Sequence, residues 1–295
     1  MKILLTGATG QVGWELARTL LPLGEVIAVN RSQADLSDLK ALRSMLQQHK
    51  PDVIVNPAAY TAVDKAETEQ GLAFLINAEA PSVMAEEAKE IGALLVHYST
   101  DYVFDGTKST LYTEDDTTNP INIYGQSKLA GEQAIQSVAG DYLILRTSWV
   151  YASRGNNFLK TILRLAAERE ELKIVADQIG SPTWARLIAE TTAHIVQQAM
   201  FERQANSFNS GVYNLTSSGE TSWQGFAQKI VDIVREQGNV VLKNKAILPI
   251  PTTDYPLPAK RPANSRLSTK RLEQHFGLSL PSWDNALKLC MQELD

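Results

Sequence analysis

The sequence predicts an α/β fold: a doubly wound parallel sheet with a smaller C-terminal, substrate-binding lobe. Apolar segments alternate with segments of helical periodicity over the first 150 residues, and the pattern loosens afterwards. Strands that are apolar throughout are typical of a parallel sheet covered by helices on both faces. We therefore expect a nucleotide-binding domain over 1–150, completed by parts of 187–217, and a mainly substrate-binding lobe over 151–295.

The first predicted strand runs into a glycine-rich loop, and the helix after it closes at a glycine. Later strands are short apolar runs, and later helices carry amphipathic spacing. Predicted strands lie at 2–6, 25–30, 52–59, 93–100, 142–149 and 211–216. Predicted helices lie at 14–24, 39–49, 70–91, 158–169, 187–200 and 223–237, with one more opening near 122. Segment 249–262 carries five prolines and is predicted to be an extended loop.

Composition excludes several classes of protein. Of the 295 residues, 44% are hydrophobic and 21% charged, which is ordinary globular composition. The net charge is −5 and no basic stripe is visible, so we expect no nucleic-acid partner. The single cysteine, Cys290, excludes an internal disulfide and fits a reducing compartment. No apolar run is long enough for a signal sequence or a membrane span, so we expect a soluble, cytoplasmic protein without a membrane partner.

The loop TGATGQVG joins the first strand to the first helix. Its first glycine permits a tight turn, its second lets the backbone approach a pyrophosphate, and its third lets helix and strand pack closely. The helix N-terminus then presents free N–H groups to phosphates, as in Rossmann-type dinucleotide sites. The cofactor-binding residues predicted here are Gly7, Gly10, Gln11, Val12 and Gly13.

The end of the second strand indicates which dinucleotide binds. Asn30 stands where an acidic residue would accept from the ribose 2′-hydroxyl, and Arg31 follows it. With no carboxylate at the end of this strand to repel a 2′-phosphate, and an arginine to attract one, we expect NADPH to bind. Arg31 is equally compatible with a solvated loop charge. Asn30 can still bond a ribose hydroxyl, so NADH stays open. Asp35 and the Leu36 backbone are candidates to contact the adenine.

Tyr124 and Lys128 are four residues apart in the segment NIYGQSKLAGE, which places them on one side of a helix. A nearby cation stabilises phenolate and lowers the pKa of a tyrosine, which makes it an acid or base near neutral pH. Taken alone, this spacing is much more often that of an ordinary surface pair.

The glycine loop, NPAAYT, STDYVF and YGQSK occur in this order, and with them the chain resembles the extended short-chain dehydrogenase/reductase family. The segments LRTSWVY, GNNF, GSPT and RPANSRL are similar to those of members that reduce the C4 ketone of dTDP-4-dehydro-6-deoxy-L-mannose. That reaction gives dTDP-L-rhamnose, the last step of dTDP-rhamnose synthesis for cell-surface polysaccharide of the O-antigen type. The resemblance covers essentially the whole chain and implies an NAD(P)H-dependent oxidoreductase with a dTDP-sugar substrate.

The resemblance also implies residue roles. Tyr124 would donate the proton to the developing alkoxide, and Lys128 would hold the nicotinamide ribose and lower the Tyr124 pKa. Thr100 would hydrogen-bond the carbonyl oxygen, although a strand-end cap is the plainer interpretation. Further implied cofactor contacts are Ala59, Tyr60, Thr61 and Tyr98, implied sugar contacts are Asp101 and Trp149, and implied diphosphate contacts are Asn157, Arg261 and Arg266.

Some relatives bind Mg²⁺ at a subunit contact, and Glu15 matches one of their carboxylates. Arg186 stands where such relatives carry glutamate, and a cation there opposes a metal ion. Both Mg²⁺ and a homodimer of that kind therefore stay open.

Three other functions are known on the same fold. The first is a sugar-nucleotide 4,6-dehydratase or epimerase. A dehydratase is disfavoured, because dehydratases usually carry Asp-Glu directly after the threonine, whereas Asp101 and Tyr102 follow Thr100 here. A reductase or epimerase of another nucleotide 4-keto sugar stays open. A non-catalytic cofactor-binding regulatory subunit is disfavoured by the presence of Thr100, Tyr124 and Lys128.

Overall fold

The computed structural model describes residues 1–238 and 241–294. Its strands are β1 (Lys2–Leu5), β2 (Glu25–Ala28), β3 (Val53–Asn56), β4 (Leu94–Thr100), β5 (Tyr142–Thr147), β6 (Val150–Tyr151), β7 (Glu171–Val175), β8 (Ile179–Gly180), β9 (Thr183–Trp184), β10 (Gly211–Asn214), β11 (Thr221–Ser222) and β12 (Ala246–Ile250). Its α-helices are α1 (Gln11–Thr19), α2 (Leu39–His49), α3 (Val63–Ala66), α4 (Gln70–Phe74), α5 (Ala80–Ile91), α6 (Ile123–Val138), α7 (Phe158–Glu168), α8 (Ala185–Gln204), α9 (Trp223–Gln237), α10 (Lys270–Phe276) and α11 (Trp283–Met291).

The central sheet has six parallel strands in the order β10-β5-β4-β3-β1-β2. The order reverses beside β1, which is the point where open α/β sheets bind ligands at the carboxyl ends of their strands. The prediction of a doubly wound parallel sheet is confirmed.

Alternate side chains of the strands pack into two helical layers. Ile3 and Leu5 of β1 face a core shared with α1, α8 and α10, whereas Leu4 faces a core shared with α2, α5 and α6. A separate core joins α7, α9 and α11 to the parallel pair β7–β12. β10 and α10 thus come from the second half of the chain but complete the first sheet and its cover.

The observed helix bounds follow from local chemistry. α2 and α9 match their predicted bounds, and each is capped: Asp38 accepts from the Ala41 N–H, and Ser222 accepts from the Gly225 N–H. The predicted helix over 70–91 is continuous but contains a π-turn over Leu75–Glu79.

Two predictions need correction. The predicted helix over 14–24 ends at Thr19 and continues as a 3₁₀ turn over Leu21–Leu23, because Pro22 cannot extend the α-helical hydrogen bonding. The proline-rich segment is not wholly a loop, since its first residues belong to β12 and Thr252–Asp254 form a 3₁₀ turn. Within residues 1–238 and 241–294, no helix has the length and apolar character needed to cross a membrane.

Candidate active site

The glycine loop forms a tight cradle ahead of α1. Gly7 has φ +59°, and a Cβ at Gly13 would lie 2.1 Å from the Gly7 carbonyl oxygen, so neither position tolerates a side chain without a shift. No side chain caps the α1 N-terminus at Gly10, which leaves its first N–H groups available to an anion. The loop has the close approach and the dipole that a pyrophosphate requires.

A cavity of about 540 Å³ extends from this loop along the carboxyl edge of the sheet. It brings together most of the predicted cofactor residues: Gly7, Gly10, Gln11, Val12, Gly13, Asp35, Leu36, Ala59, Thr61, Tyr98, Tyr124 and Lys128. Sequence reasoning missed part of its wall, namely Thr9, Ala34, Pro57, Ala58, Ile76, Ser99, Thr147, Val150, Gly155 and Asn156. The last two come from a loop beyond β6 and open the segment GNNF, from which only Asn157 was predicted as a contact.

At one end of the cavity, Arg31 and Asp35 both line the wall, with Arg31 Nε 3.3 Å from the Asp35 carboxylate. The Ser37 N–H and hydroxyl donate to Asp35 and lower the pKa of its carboxyl. Asn30 does not line the cavity, because its side-chain oxygen accepts from the Ser32 N–H and hydroxyl. Its predicted ribose contact stays a prediction.

Tyr60 does not line the cavity either, since its phenol donates to Glu69 and that hydrogen bond raises the pKa of Tyr60 to about 12. Its backbone is instead held by Asn77 in the π-turn, which accepts from the Tyr60 N–H at 2.8 Å and donates to the Tyr60 carbonyl at 3.0 Å. Asn77 also donates to the Ser127 hydroxyl of α6. No sequence pattern predicted a role for this asparagine, which fixes the loop between the cofactor-lining residues Ala59 and Thr61.

Tyr124 and Lys128 lie one turn apart on α6, and both face the cavity. Lys128 Nζ donates to the Tyr98 carbonyl at 2.6 Å and lies 3.1 Å from His97 Nε2. Burial lowers the pKa of Lys128 to about 8, although the Glu132 carboxylate one turn on opposes this.

The expected depression of the tyrosine pKa is not observed. Burial raises the pKa of Tyr124 to about 12; the Thr100 hydroxyl works against this rise and the Asp101 charge adds to it. Burial outweighs the lysine because the ammonium is engaged by Tyr98 and His97 rather than by the phenol. Tyr124 is therefore a protonated phenol at neutral pH, which suits a proton donor.

Thr100 and Asp101 follow directly at the end of β4, beside Tyr124 but outside the cavity wall. The Thr100 hydroxyl donates to Asp101 Oδ1 at 3.1 Å and accepts from the Tyr102 N–H at 3.2 Å, so Thr100 does cap this strand end. Asp101 is 2% exposed and its Oδ2 has no hydrogen-bond partner within the described residues. Burial raises the pKa of Asp101 to about 7.

Trp149 adopts φ +47°, an uncommon conformation for a bulky residue. Its ring stacks on Trp223 with centroids 3.6 Å apart, and a Cβ at Gly180 would lie 2.6 Å from the Trp149 ring. Trp223 Nε1 donates to Gln178, which fixes the stack. Trp149 is outside the wall of the described cavity, and its sugar contact stays a prediction.

The three predicted diphosphate contacts all have protein partners. Arg261 pairs with both oxygens of Asp64, and Arg266 pairs with Glu220 at 2.8 Å. Asn157 accepts from the Lys160 N–H as the cap of α7 and donates to Gln11 at the cavity. Neither arginine is a free phosphate-binding group in this structure.

Glu15 of α1 is buried and lies 3.3 Å from Arg186 Nε, and Arg186 also pairs with Glu293. Arg186 thus offsets the charge of two carboxylates at this place, as expected of a cation that opposes a metal ion, and Mg²⁺ stays an open prediction. Among residues 1–238 and 241–294, no cluster of three or more His, Cys, Asp or Glu side chains is arranged to hold a metal ion.

The family described as the RmlD substrate binding domain matches residues 1–295. The chain belongs to this family. It is 56% identical to a dTDP-4-dehydrorhamnose reductase of Burkholderia thailandensis, covering 100% of this chain and 99% of that protein.

A dTDP-4-dehydrorhamnose reductase of Escherichia coli K12 is 47% identical, covering 100% of this chain and 98% of that protein. The crystal structure of a dTDP-4-dehydrorhamnose reductase from Bacillus anthracis in complex with NADP superposes with a TM-score of 0.87 at 36% identity, covering 99% of both chains. The resemblance read from the motifs is confirmed over the full length.

Proposed function

We propose that this chain is an NAD(P)H-dependent oxidoreductase that reduces the C4 ketone of dTDP-4-dehydro-6-deoxy-L-mannose to dTDP-L-rhamnose. The observation that carries the proposal is that Tyr124 and Lys128 open into the same cavity as the glycine cradle, in a chain 56% identical throughout to a named reductase. The same reaction would serve synthesis of cell-surface polysaccharide of the O-antigen type.

The cavity fits a nicotinamide dinucleotide. The uncapped α1 N-terminus and Gly10 would hold the pyrophosphate, and Lys128 would meet the nicotinamide ribose. Arg31 would meet a 2′-phosphate by giving up its pairing with Asp35, from which its Nε lies 3.3 Å. The cofactor, when bound, supplies the hydride for C4. The NADP bound by the Bacillus anthracis relative supports NADPH, and NADH stays compatible with the site.

The chain's own residues then supply the proton. Tyr124 stays protonated at neutral pH because its pKa is raised to about 12, so it can donate to an alkoxide forming beside it. Thr100 lies next to that phenol, and its hydroxyl would turn from Asp101 towards the carbonyl oxygen. General acid assistance of this kind contributes about 10²–10⁴-fold.

We assign the sugar to Asp101, whose charge acts on Tyr124, and to the Trp149–Trp223 stack, whose second ring packs against the second core. That core would form the substrate lobe. We place the reaction in the cytoplasm, the reducing compartment that the single cysteine predicts. A homodimer stays a prediction, to be checked by light scattering.

The test follows oxidation of NADPH, then of NADH, by absorbance of the reduced nicotinamide with enzymatically generated dTDP-4-dehydro-6-deoxy-L-mannose. Native protein should yield dTDP-L-rhamnose, and Tyr124→Phe should lose about a hundredfold or more in kcat. Tyr102→Phe is the matched control, since its ring lies edge-on to Tyr124 with centroids 5.5 Å apart. Tight NADPH binding without oxidation would refute the reductase and leave a binding subunit or another keto sugar.

A further inference from the structure

A line of buried polar side chains connects Lys128 with the start of the glycine loop. Lys128 Nζ lies 3.1 Å from His97 Nε2, and His97 Nδ1 lies 3.0 Å from the Asn56 amide. The other end of that amide lies 2.6 Å from the Thr6 hydroxyl, directly before the first glycine. All four side chains are at most 2% exposed.

The sheet itself builds this line. Asn56 and His97 are register partners on β3 and β4, and Thr6 follows β1, the next strand over. Polar groups at the centre of an apolar sheet are costly unless each is hydrogen-bonded. Here each polar side chain has a hydrogen-bond partner in the next one along the line. An apolar residue at position 97 would leave Lys128 and Asn56 without that partner.

We propose that His97 is a positioning residue for Lys128: its bare Nε2 accepts a hydrogen bond from the ammonium and aims the remaining N–H at the cofactor cavity. Lys128 Nζ has three donors, of which the Tyr98 carbonyl takes one and His97 takes a second. The third is then directed rather than free to rotate. The proposal rests on the proposed function in one respect, the binding of the nicotinamide ribose by Lys128.

The direction of the hydrogen bonds follows from the charge on Lys128. An ammonium cannot accept, so His97 must be neutral with its proton on Nδ1, and that proton must be donated to the Asn56 carbonyl oxygen. In the structure, the Thr6 hydroxyl donates to Asn56 Oδ1 at 2.6 Å, and the Asn56 NH₂ lies 3.0 Å from His97 Nδ1. The proposal therefore turns this amide by 180°, so that its oxygen accepts from His97 Nδ1 and its NH₂ donates to the Thr6 hydroxyl.

Charges around the lysine are consistent with this arrangement. Desolvation and the Lys128 charge both hold the pKa of His97 well below its usual range, which keeps the imidazole neutral. Glu132 on α6 supports the ammonium, and its carboxylate is engaged by Arg146 from β5. Tyr124, the other titratable group on this face of α6, is neutral at the same pH.

The first test uses the native protein. Because the chain has only four histidines, the ¹⁵N shifts of each imidazole can be assigned with His97→Asn as reference. We expect the His97 ring to be neutral and protonated on Nδ1 at about pH 7. A ring protonated on Nε2, or a doubly protonated ring, would overturn the proposal.

The second test compares two amide replacements that separate the two ring nitrogens. A glutamine amide reaches the position of Nε2, whereas an asparagine amide reaches only that of Nδ1. NADPH affinity, measured by nucleotide fluorescence without any sugar, should fall about tenfold in His97→Asn and return to within about threefold of native in His97→Gln.

The pH dependence of the same affinity adds a readout that a merely structural role would not move. In His97→Asn the Lys128 ammonium loses an acceptor, so its pKa falls and NADPH affinity should decline at a lower alkaline pH than in the native protein. His97→Gln should restore the native pH dependence. Equal loss in both variants, or no loss in either, would overturn the positioning role. Since the nucleotide titration needs no turnover, failure of the proposed reductase activity would be recognised separately.

Discussion

Replacing the buried lysine by an apolar residue of similar length, Lys128→Met, tests the electrostatics of the site through stability alone. Lys128 is 2% exposed, and burial lowers its pKa to about 8 from an ordinary value of about 10.4. Keeping the folded ammonium at about pH 7 therefore costs about 3 kcal/mol relative to the unfolded chain. This cost is present below the folded pKa and disappears as the pH rises through the unfolded value.

Methionine removes that cost but leaves the Tyr98 carbonyl and His97 Nε2 without their donor. Each unpaired buried acceptor costs about 1–3 kcal/mol, so the two effects nearly cancel at neutral pH. The pH dependence separates them, because the lost hydrogen bonds do not titrate in this range. Between about pH 7 and about pH 9.5, the native protein should gain about 2 kcal/mol on the variant.

Urea unfolding of both proteins across that range measures the difference directly. Lys173→Met, at an exposed position, is the control for changing the net charge by the same amount. A native-minus-variant difference that stays constant with pH would refute a depressed pKa at Lys128. A difference that falls with rising pH would mean that the site stabilises the ammonium.

Three further predictions follow from contacts described above. Gly13→Ala should weaken NADPH binding at least tenfold, about 1.4 kcal/mol, since its Cβ would displace the cradle; Gly71→Ala, with nothing within 4 Å of the new Cβ, should not. Glu132→Ala should lower the free energy of unfolding by about 3–5 kcal/mol, because it leaves Arg146 buried and unpaired; an unchanged urea midpoint would contradict this. Trp223→Ala should raise KM for the sugar with little change in NADPH affinity, since it removes the ring under the predicted sugar contact; a loss confined to nucleotide binding would contradict it.

Much of the fold could be predicted because its signals are local. Apolar strands, amphipathic helices and capping residues such as Asp38 and Ser222 lie within a few positions of the structure they determine. The β7–β12 pair could not be predicted, since its strands are far apart in the chain and one contains Pro249. Its pairing comes from tertiary packing of the second core.

The site divides in the same way. The glycine cradle and the tyrosine–lysine turn were predictable from spacing, whereas the partners of Lys128 were not, because His97 and Tyr98 meet it only after α6 packs on β4. The prediction that Lys128 lowers the pKa of Tyr124 was wrong, because residue spacing does not report how deeply the phenol is buried. Burial at Tyr124 outweighs a cation that points elsewhere.

The position of β10 in the central sheet has a consequence for synthesis on the ribosome. Its strand, Gly211–Asn214, covers the edge of β5, and α8 and α10 cover one face of the same sheet. A nascent chain that has emerged only to residue 150 therefore holds the nucleotide-binding loop but exposes both an unpaired strand edge and an apolar face. We therefore expect the dinucleotide site to become stable only after α10, Lys270–Phe276, has left the exit tunnel.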